Sequence, residues 1–438
     1  MTNIPEEKAI DNSLALLTEG FPFLHNRFES FQADIFKTRL LGEKAICLHG
    51  EEAASIFYDS SKFTRNGAIP KRIQKTLLGE NGVQTMDDEA HRHRKMMFMS
   101  LMSEESIGLL KNHFARYWRA YMLKWEKLEK VVLFHEVQEV LCLAACAWAG
   151  VPLQPDEVRE KAREFTAMVD AFGAVGPRHW RGRTARNSGE VWIGGIIEAV
   201  RNHKLTPEEG SPLHTVAWHR DYNGELLDLK MASVELMNLI RPIVAISWYI
   251  TYAALALHEH PQYRSRLQAG EEGLTEFFVQ EVRRFYPFAP FTGARVRNEF
   301  EWKGHHFKEG TLVLLDIYGA LHDPAMWENP GEFIPERFQH WDGSPFDFIP
   351  QGGGDFLGGH RCAGEWITIE LTKQALSFLA NCMEYEVPAQ DLNYSLVRIP
   401  TYPKSGFVMS RVKAVAKDIP TNPGMRSGDI SKCPFHQM

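Results

Sequence analysis

Between Phe348 and Gly364 the chain reads FIPQGGGDFLGGHRCAG, so that Gly352, Gly353, Gly354, Gly358, Gly359 and Gly364 crowd around Cys362. Glycine allows a close backbone approach that a Cβ would block. The following run, AGEWITIELTKQALSFLANCM, has helical periodicity, and the positive end of such a helix favours a thiolate at Cys362. An iron-ligating cysteine needs these features: a lowered pKa, N–H donors aimed at sulfur, and a backbone that can lie against a flat macrocycle. Taken alone, the loop also fits an ordinary turn.

The rest of the chain predicts mainly helix. Ser103, with Glu104 and Glu105 behind it, opens a run to Lys130 that carries Leu109, Leu110, Phe114, Tyr117 and Tyr121 at helical spacing. Amphipathic runs follow at 133–149, 155–173 (opened by Pro155-Asp156), 188–203, 227–258 and 273–285. Strand patterns are few: 45–50, and 292–318 with turns at Lys303-Gly304 and Glu309-Gly310. The reading is a mainly α (α+β) chain, one domain over 1–416 with a small β-sheet region and a polar tail over 417–438.

A net charge of −7 gives no electrostatic reason to expect nucleic acid. Glu6, Glu7 and Asp11 stand where a secretory signal needs basic residues. The longest uncharged apolar run, Pro242 to Leu257, is shorter than the roughly 20 residues of a membrane span, follows directly on Arg241, and predicts a core helix with no transmembrane segment. Cysteines at 47, 142, 146, 362, 382 and 433 lack paired spacing, which predicts free thiols in a reducing, cytoplasmic compartment. Cys142 and Cys146 read as core thiols; Cys433 and His436 fall short of a metal's ligand count.

Two further segments give the cysteine loop its meaning. EVRR sets Glu281 and Arg284 three apart on a helix, and PERF adds Arg337. Such a pair alone is ordinarily a surface bridge worth about 0.2–0.5 kcal/mol. In this order, however, the Glu-x-x-Arg pair, the Arg segment and the Gly-rich Cys loop resemble the cytochrome P450 superfamily over nearly the whole chain. The resemblance implies the helical P450 fold with a small β-sheet region around a buried haem b (iron protoporphyrin IX), Cys362 as the iron ligand, and Glu281, Arg284 and Arg337 locking the adjoining core. The loop departs from the common pattern: seven residues, DFLGGHR, separate the triple glycine from Cys362. His360 keeps the position where a basic residue usually meets a haem propionate.

The central helix reads ELMNLIRPIVAISWYITY. By the same resemblance it should carry an acid and alcohol pair to deliver protons; it carries Arg241 and Pro242, a cation and a residue without an N–H. Arginine in an apolar helix is costly unless paired, and its planar fork suits a carboxylate. With IRP, the extended loop and WDGSPFDFIPQGGG, the chain resembles the bacterial fatty-acid peroxygenase branch of the superfamily. The implied activity is hydrogen peroxide-dependent hydroxylation of long-chain fatty acids at the α or β carbon, with decarboxylation to terminal alkenes on the side. The implied catalytic set is Arg241, Pro242 and Gln84, with the substrate carboxylate on Arg241 as acid-base group and no obligatory redox partner. Gln84 occupies a position where histidine marks some alkene-forming relatives, which favours hydroxylation. Leu78, Val169, Phe172 and Phe291 match pocket-lining positions. His91 and Lys95, four apart in HRHRK, share a helix face that suits haem propionates, and Arg65 in FTRNG matches a third contact. The alternatives are an enzyme that mainly forms alkenes, a reductase-dependent monooxygenase, and a non-catalytic haem-thiolate sensor, which the lack of an effector domain disfavours.

Overall fold

The computed structural model describes residues 4–415; the polar tail, with Cys433 and His436, lies outside the described residues. At the centre is the helix Leu229–Glu259. Its start is set by Asp228, whose Oδ1 accepts from the Met231 amide at 2.8 Å. Apart from Glu235, Asn238 and Arg241, its buried length is mainly apolar around the whole circumference, the pattern of a helix surrounded by protein. Helices Leu133–Ala149, Val158–Asp170, Pro177–Arg201 and Glu365–Ser377 pack on it, and Glu104–Trp125 covers Leu133–Ala149. Among the described residues only this helix has the length and apolarity of a membrane span, and its most apolar window is 94% buried in the core.

The sheet region is larger than expected. Five strands lie in the order Ile35–Leu40, Glu43–Leu48, Leu312–Asp316, Phe291–Val296, Phe63–Thr64. Glu43–Leu48 and Leu312–Asp316 run parallel, with Ala45 opposite Leu312. The first hairpin closes at Leu41-Gly42, both at positive φ, and the Lys303-Gly304 turn closes Phe300–Trp302 on His305–Phe307 in the same way. A second sheet joins Lys130–Val132, Val408–Ala414 and Met383–Glu386. The unexpected strands are short or alternate weakly, so they carry little periodic signal.

The helix expected over 188–203 begins eleven residues earlier, at Pro177 after Gly176 (φ 65°). Gly182 and Gly189 dilute its pattern because the neighbouring helix comes close: a Cβ on Gly182 would meet Ala171 and Ala167. Val158–Asp170 is shorter at both ends than the run at 155–173, and the helix after Ser103 stops at Trp125.

Glu281, Arg284 and Arg337 form a buried lock, far from the ordinary surface bridge. Arg284 grips Glu281 through Nε and Nη2, both at 2.7 Å, and Arg337 Nε lies 3.1 Å from the same carboxylate. The Arg284 guanidinium also donates to the carbonyls of Leu321, Pro330 and Glu332, fastening this helix to the loop that leads to the cysteine.

Candidate active site

The segment before Glu365–Ser377 folds back so that the Cys362 amide donates to Gln351 O at 3.0 Å, and Gln351 Nε2 stands 3.7 Å from Sγ. Gly352 and Gly354 have φ of 91° and 77°, and a Cβ on Gly353 would lie 2.6 Å from Pro345 O, which explains the glycine run. The accessible surface of Cys362 faces a cavity. Burial, with help from the Glu365 charge, pushes its thiol up, opposed by the Gly364 amide, Lys95 and Gln351. A thiol kept neutral this way is a poor free nucleophile; a metal ion in place of the proton deprotonates it outright.

The cavity measures about 1160 Å³, above the roughly 300–1,000 Å³ of ordinary ligand pockets. Cys362, Gln351 and Ala363 form one wall; Asn238, Arg241, Pro242, Ala245 and Tyr249 of the central helix contribute another. Arg65, His91, Lys95 and His360 gather along it. Arg65 lies 4.3 Å from the Phe57 ring centroid and donates to Gly293 O. His91 stacks on His360 at 4.0 Å. Burial, then the nearby His360 and Lys95, pushes His91 down to about 3, and burial lowers Arg65, Lys95 and His360 as well. Against these four stands Asp87, held low despite burial by hydrogen bonds from His360, Thr64 and the Arg65 and Asn66 amides. Two cations, Arg65 and Lys95, and two imidazoles, His91 and His360, at the edge of a large apolar cavity with one cysteine sulfur in its wall, fit a haem: Cys362 would hold the iron, and Arg65, His91, Lys95 and His360 would meet its propionates.

Arg241 differs from the buried arginines that hold a carboxylate, and from Arg65, which donates to a backbone carbonyl. Arg94 pairs with Glu235 at 2.7 Å, Arg186 with Glu190 at 2.6 Å, Arg284 with Glu281, and Arg283 with Glu365. Arg241 is 6% exposed, its Nε has no hydrogen-bond partner, and it makes no ion pair among the described residues. Burial and the charge of Arg186 push it down to about 9, so it remains a cation at neutral pH. Pro242 follows it in the cavity wall without breaking the helix. The hydroxyls further along, Ser247 and Thr251, are fully buried outside the cavity lining, Thr251 donating to Ser247 O at 2.7 Å. This wall can bind a carboxylate and offers no acid of its own near Arg241.

A second polar group, absent from the sequence reading, lies nearly two turns earlier on the same helix. Glu235, fully buried, accepts from Arg94 Nη1 (2.7 Å), the Val83 amide (3.0 Å) and Asn238 Nδ2 (3.1 Å). Asn238 also reaches Gln84 Oε1 at 3.5 Å, tethering the glutamine. Positions 235, 238 and 241 recur at a helical interval of three. The signal that picked out Arg241, a charge in an apolar helix, was equally present at Glu235. Leu78, Phe172 and Phe291 line the cavity, as do Ala245 and Phe288; Val169 packs in a cluster with Phe134, Ala245 and Trp248.

A family profile described as "Cytochrome P450" matches residues 273–385. Cytochrome P450EX alpha (CYP152N1), solved with myristic acid, is 47% identical at a TM-score of 0.92, covering 95% of this chain and 100% of that one. Cytochrome P450SP alpha (CYP152B1) is 46% identical at 0.91, covering 93% and 100%. Cytochrome P450 OleT, solved in complex with arachidonic acid, is 35% identical at 0.92, covering 95% and 100%. Among curated proteins, "Putative cytochrome P450 120" of Synechocystis sp. is 24% identical over 376 residues, covering 79% of this chain and 82% of that protein. With whole-length likeness at this identity joined to the Cys362 loop and the Glu281 lock, the chain belongs to the cytochrome P450 family and, within it, to the fatty-acid peroxygenase branch.

Proposed function

We propose that the protein hydroxylates long-chain fatty acids at the α or β carbon with hydrogen peroxide, and releases some terminal alkene by decarboxylation. The observation that carries this is Arg241, a buried cation without a carboxylate partner among the described residues, in the cavity that Cys362 also lines. Haem b, held through Cys362, supplies the transfer of oxidising equivalents from peroxide to a C–H bond. Arg241 binds the fatty-acid carboxylate through its fork and fixes it in the cavity. The carboxylate then serves as proton acceptor and donor during peroxide cleavage, a task for which this helix has no side chain near Arg241. Anchoring one end of the acid confines oxidation to its first carbons. Leu78, Phe172 and Phe291 exclude water along the alkyl chain, and Asn238 orients Gln84 beside it. No redox partner is required.

The test is product analysis after mixing the holoprotein with myristic acid and hydrogen peroxide, without reductase or nicotinamide. Hydroxy acids, with or without alkene, are expected. Unchanged acid, from protein whose reduced carbon monoxide spectrum shows an intact thiolate-bound haem, would transfer the assignment to a reductase-dependent monooxygenase.

A further inference from the structure

Four tyrosines run from the cavity to the surface. Tyr249 lines the cavity with Cys362, and it also borders a small cleft shared with Tyr286. Tyr252, three residues on in the same helix, stacks on Tyr286 with ring centroids 4.4 Å and planes 14° apart. Tyr394 meets both, its ring 5.4 Å from Tyr252 and 5.8 Å from Tyr286. Tyr249, Tyr252 and Tyr286 are buried, whereas Tyr394 is partly exposed.

Packing accounts for the rings but not for the phenol oxygens. Phenylalanine would fill the same space without burying a hydroxyl, and the Tyr249 hydroxyl is buried with no hydrogen-bond partner among the described residues. The Tyr286 hydroxyl stands 3.4 Å from Glu259 Oε2, on an exposed residue that ends the central helix. Burial, then the Glu259 charge, pushes the Tyr286 phenol up, so it is neutral at rest. Phenols are among the most easily oxidised side chains, and an oxidised phenol is a strong acid. A carboxylate beside it receives the proton as the electron leaves. A second aromatic row ends differently: Trp248 lies 6.1 Å from Tyr402, but the Arg398 guanidinium sits 4.7 Å over the Tyr402 ring and opposes positive charge there.

We propose that Tyr249, Tyr252, Tyr286 and Tyr394 form an electron path, which makes Tyr394 a second oxidation site, at the surface, for small one-electron donors of the phenol or enediol class. The path carries oxidising equivalents outward when the haem has met peroxide and no substrate C–H bond is in reach. Tyr249 has no base at its hydroxyl and is the poorest donor of the four, which leaves the C–H bond of a bound acid the faster reductant. The overall reaction balances: the peroxide O–O bond breaks, each of two donors loses one electron and one proton, and hydrogen peroxide with two phenols becomes two waters and two phenoxyl radicals. Glu259 takes the Tyr286 proton on oxidation and returns it on reduction. The path needs the haem that Cys362 holds and does not rest on the fatty-acid reading.

The test mixes full-length holoprotein, free of fatty acid, with peracetic acid, which oxidises a thiolate-bound haem without a substrate carboxylate, and freezes the mixture for electron paramagnetic resonance. A tyrosyl radical is expected, identified by the narrowing of its signal in protein made with ring-deuterated tyrosine. A nitroso spin trap followed by peptide mass spectrometry should place the adduct on Tyr394, and ascorbate added before the trap should prevent it. Tyr286→Phe and Glu259→Gln should each lose most of that adduct, while their yield of hydroxy acids from myristate and hydrogen peroxide stays at the unaltered level. No tyrosyl signal, an adduct on Tyr402 in place of Tyr394, or labelling that ascorbate does not prevent would overturn the proposal. So would equal labelling in Tyr286→Phe, or with the haem iron blocked by imidazole. The two readings fail separately: labelled Tyr394 with unchanged myristate keeps the path and refutes the fatty-acid activity, and hydroxylated myristate without labelling does the reverse.

Discussion

Replacing Arg241 by leucine should make the protein more stable and nearly useless. Folding takes the Arg241 guanidinium out of bulk water, and among the described residues no carboxylate pairs with it. Apolar replacement of buried ionic groups commonly gains about 1–4 kcal/mol. With an unfolding entropy near 2.1 cal/mol/K per residue, each kcal/mol moves the midpoint of a chain this long by about 1 °C. The holoprotein variant should therefore melt roughly 1–4 °C higher. Against that, a desolvated charge pair between Arg241 and a bound carboxylate is worth about 3–5 kcal/mol to break, which corresponds to a loss of about 10²- to 4 × 10³-fold in affinity for the acid. Circular dichroism melting reads the first number, and titration of myristate against the haem absorption band reads the second. A variant that lost stability along with affinity would make Arg241 a structural residue. A variant that bound myristate undiminished would place the carboxylate elsewhere and end the argument for substrate-assisted peroxide cleavage.

The same reasoning predicts a decoy effect: a short-chain carboxylic acid, by occupying Arg241, should permit peroxide-driven oxidation of a substrate without a carboxyl group, detected as new product by gas chromatography. Glu281→Gln leaves two guanidiniums facing a neutral amide in the core; the urea midpoint should fall by an amount equivalent to about 3–5 kcal/mol, and a drop below about 1 kcal/mol would show that the backbone carbonyls hold Arg284 unaided. His49 stands between Asp316 (3.1 Å) and Asp323 (3.0 Å), and against the effect of burial these bonds hold it up at about 10 from 6.5. The folded state thus binds the extra proton, so its contribution is whole below pH 6.5 and is lost as pH rises towards 10. Urea unfolding at those two pH values should show a larger loss for the unaltered protein than for His49→Asn; equal losses would rule the clamp out.

How much of this was legible before the fold was known depended on the kind of signal each residue gives. Cys362 and its glycines could be read because steric need at a close approach writes itself into composition: a Cβ on Gly353 would come within 2.6 Å of Pro345 O. Arg241 could be read because a charge stands out in an apolar helix. The Glu281–Arg284–Arg337 lock was visible only as an ordered set of segments, since a local Glu-x-x-Arg spacing looks the same in water and in the core. The group around Glu235 was missed because its partners, Arg94 and the Val83 amide, lie far away in sequence, and nothing in a linear pattern measures that separation. The extra strands were missed for a similar reason: Val408–Ala414 is held by neighbours from residues 130–132 and 383–386, not by an alternation of its own. Val169 shows the remaining gap, since an apolar helix position can face a cavity or pack against the core with an unchanged pattern.

The unpaired guanidinium has one more consequence, and it concerns what the enzyme ignores. A ligand that enters beside Arg241 without a negative charge leaves that cation buried and unanswered, a penalty of the kind that discriminates far better than any added methylene does. Methyl esters, thioesters and the acyl chains of intact phospholipids all fail in this respect, however well their hydrocarbon fits. Where esterified lipid is abundant and free acid scarce, the protein would therefore respond only to chains that a hydrolase has set free, so that its turnover would report lipid breakdown and not lipid abundance.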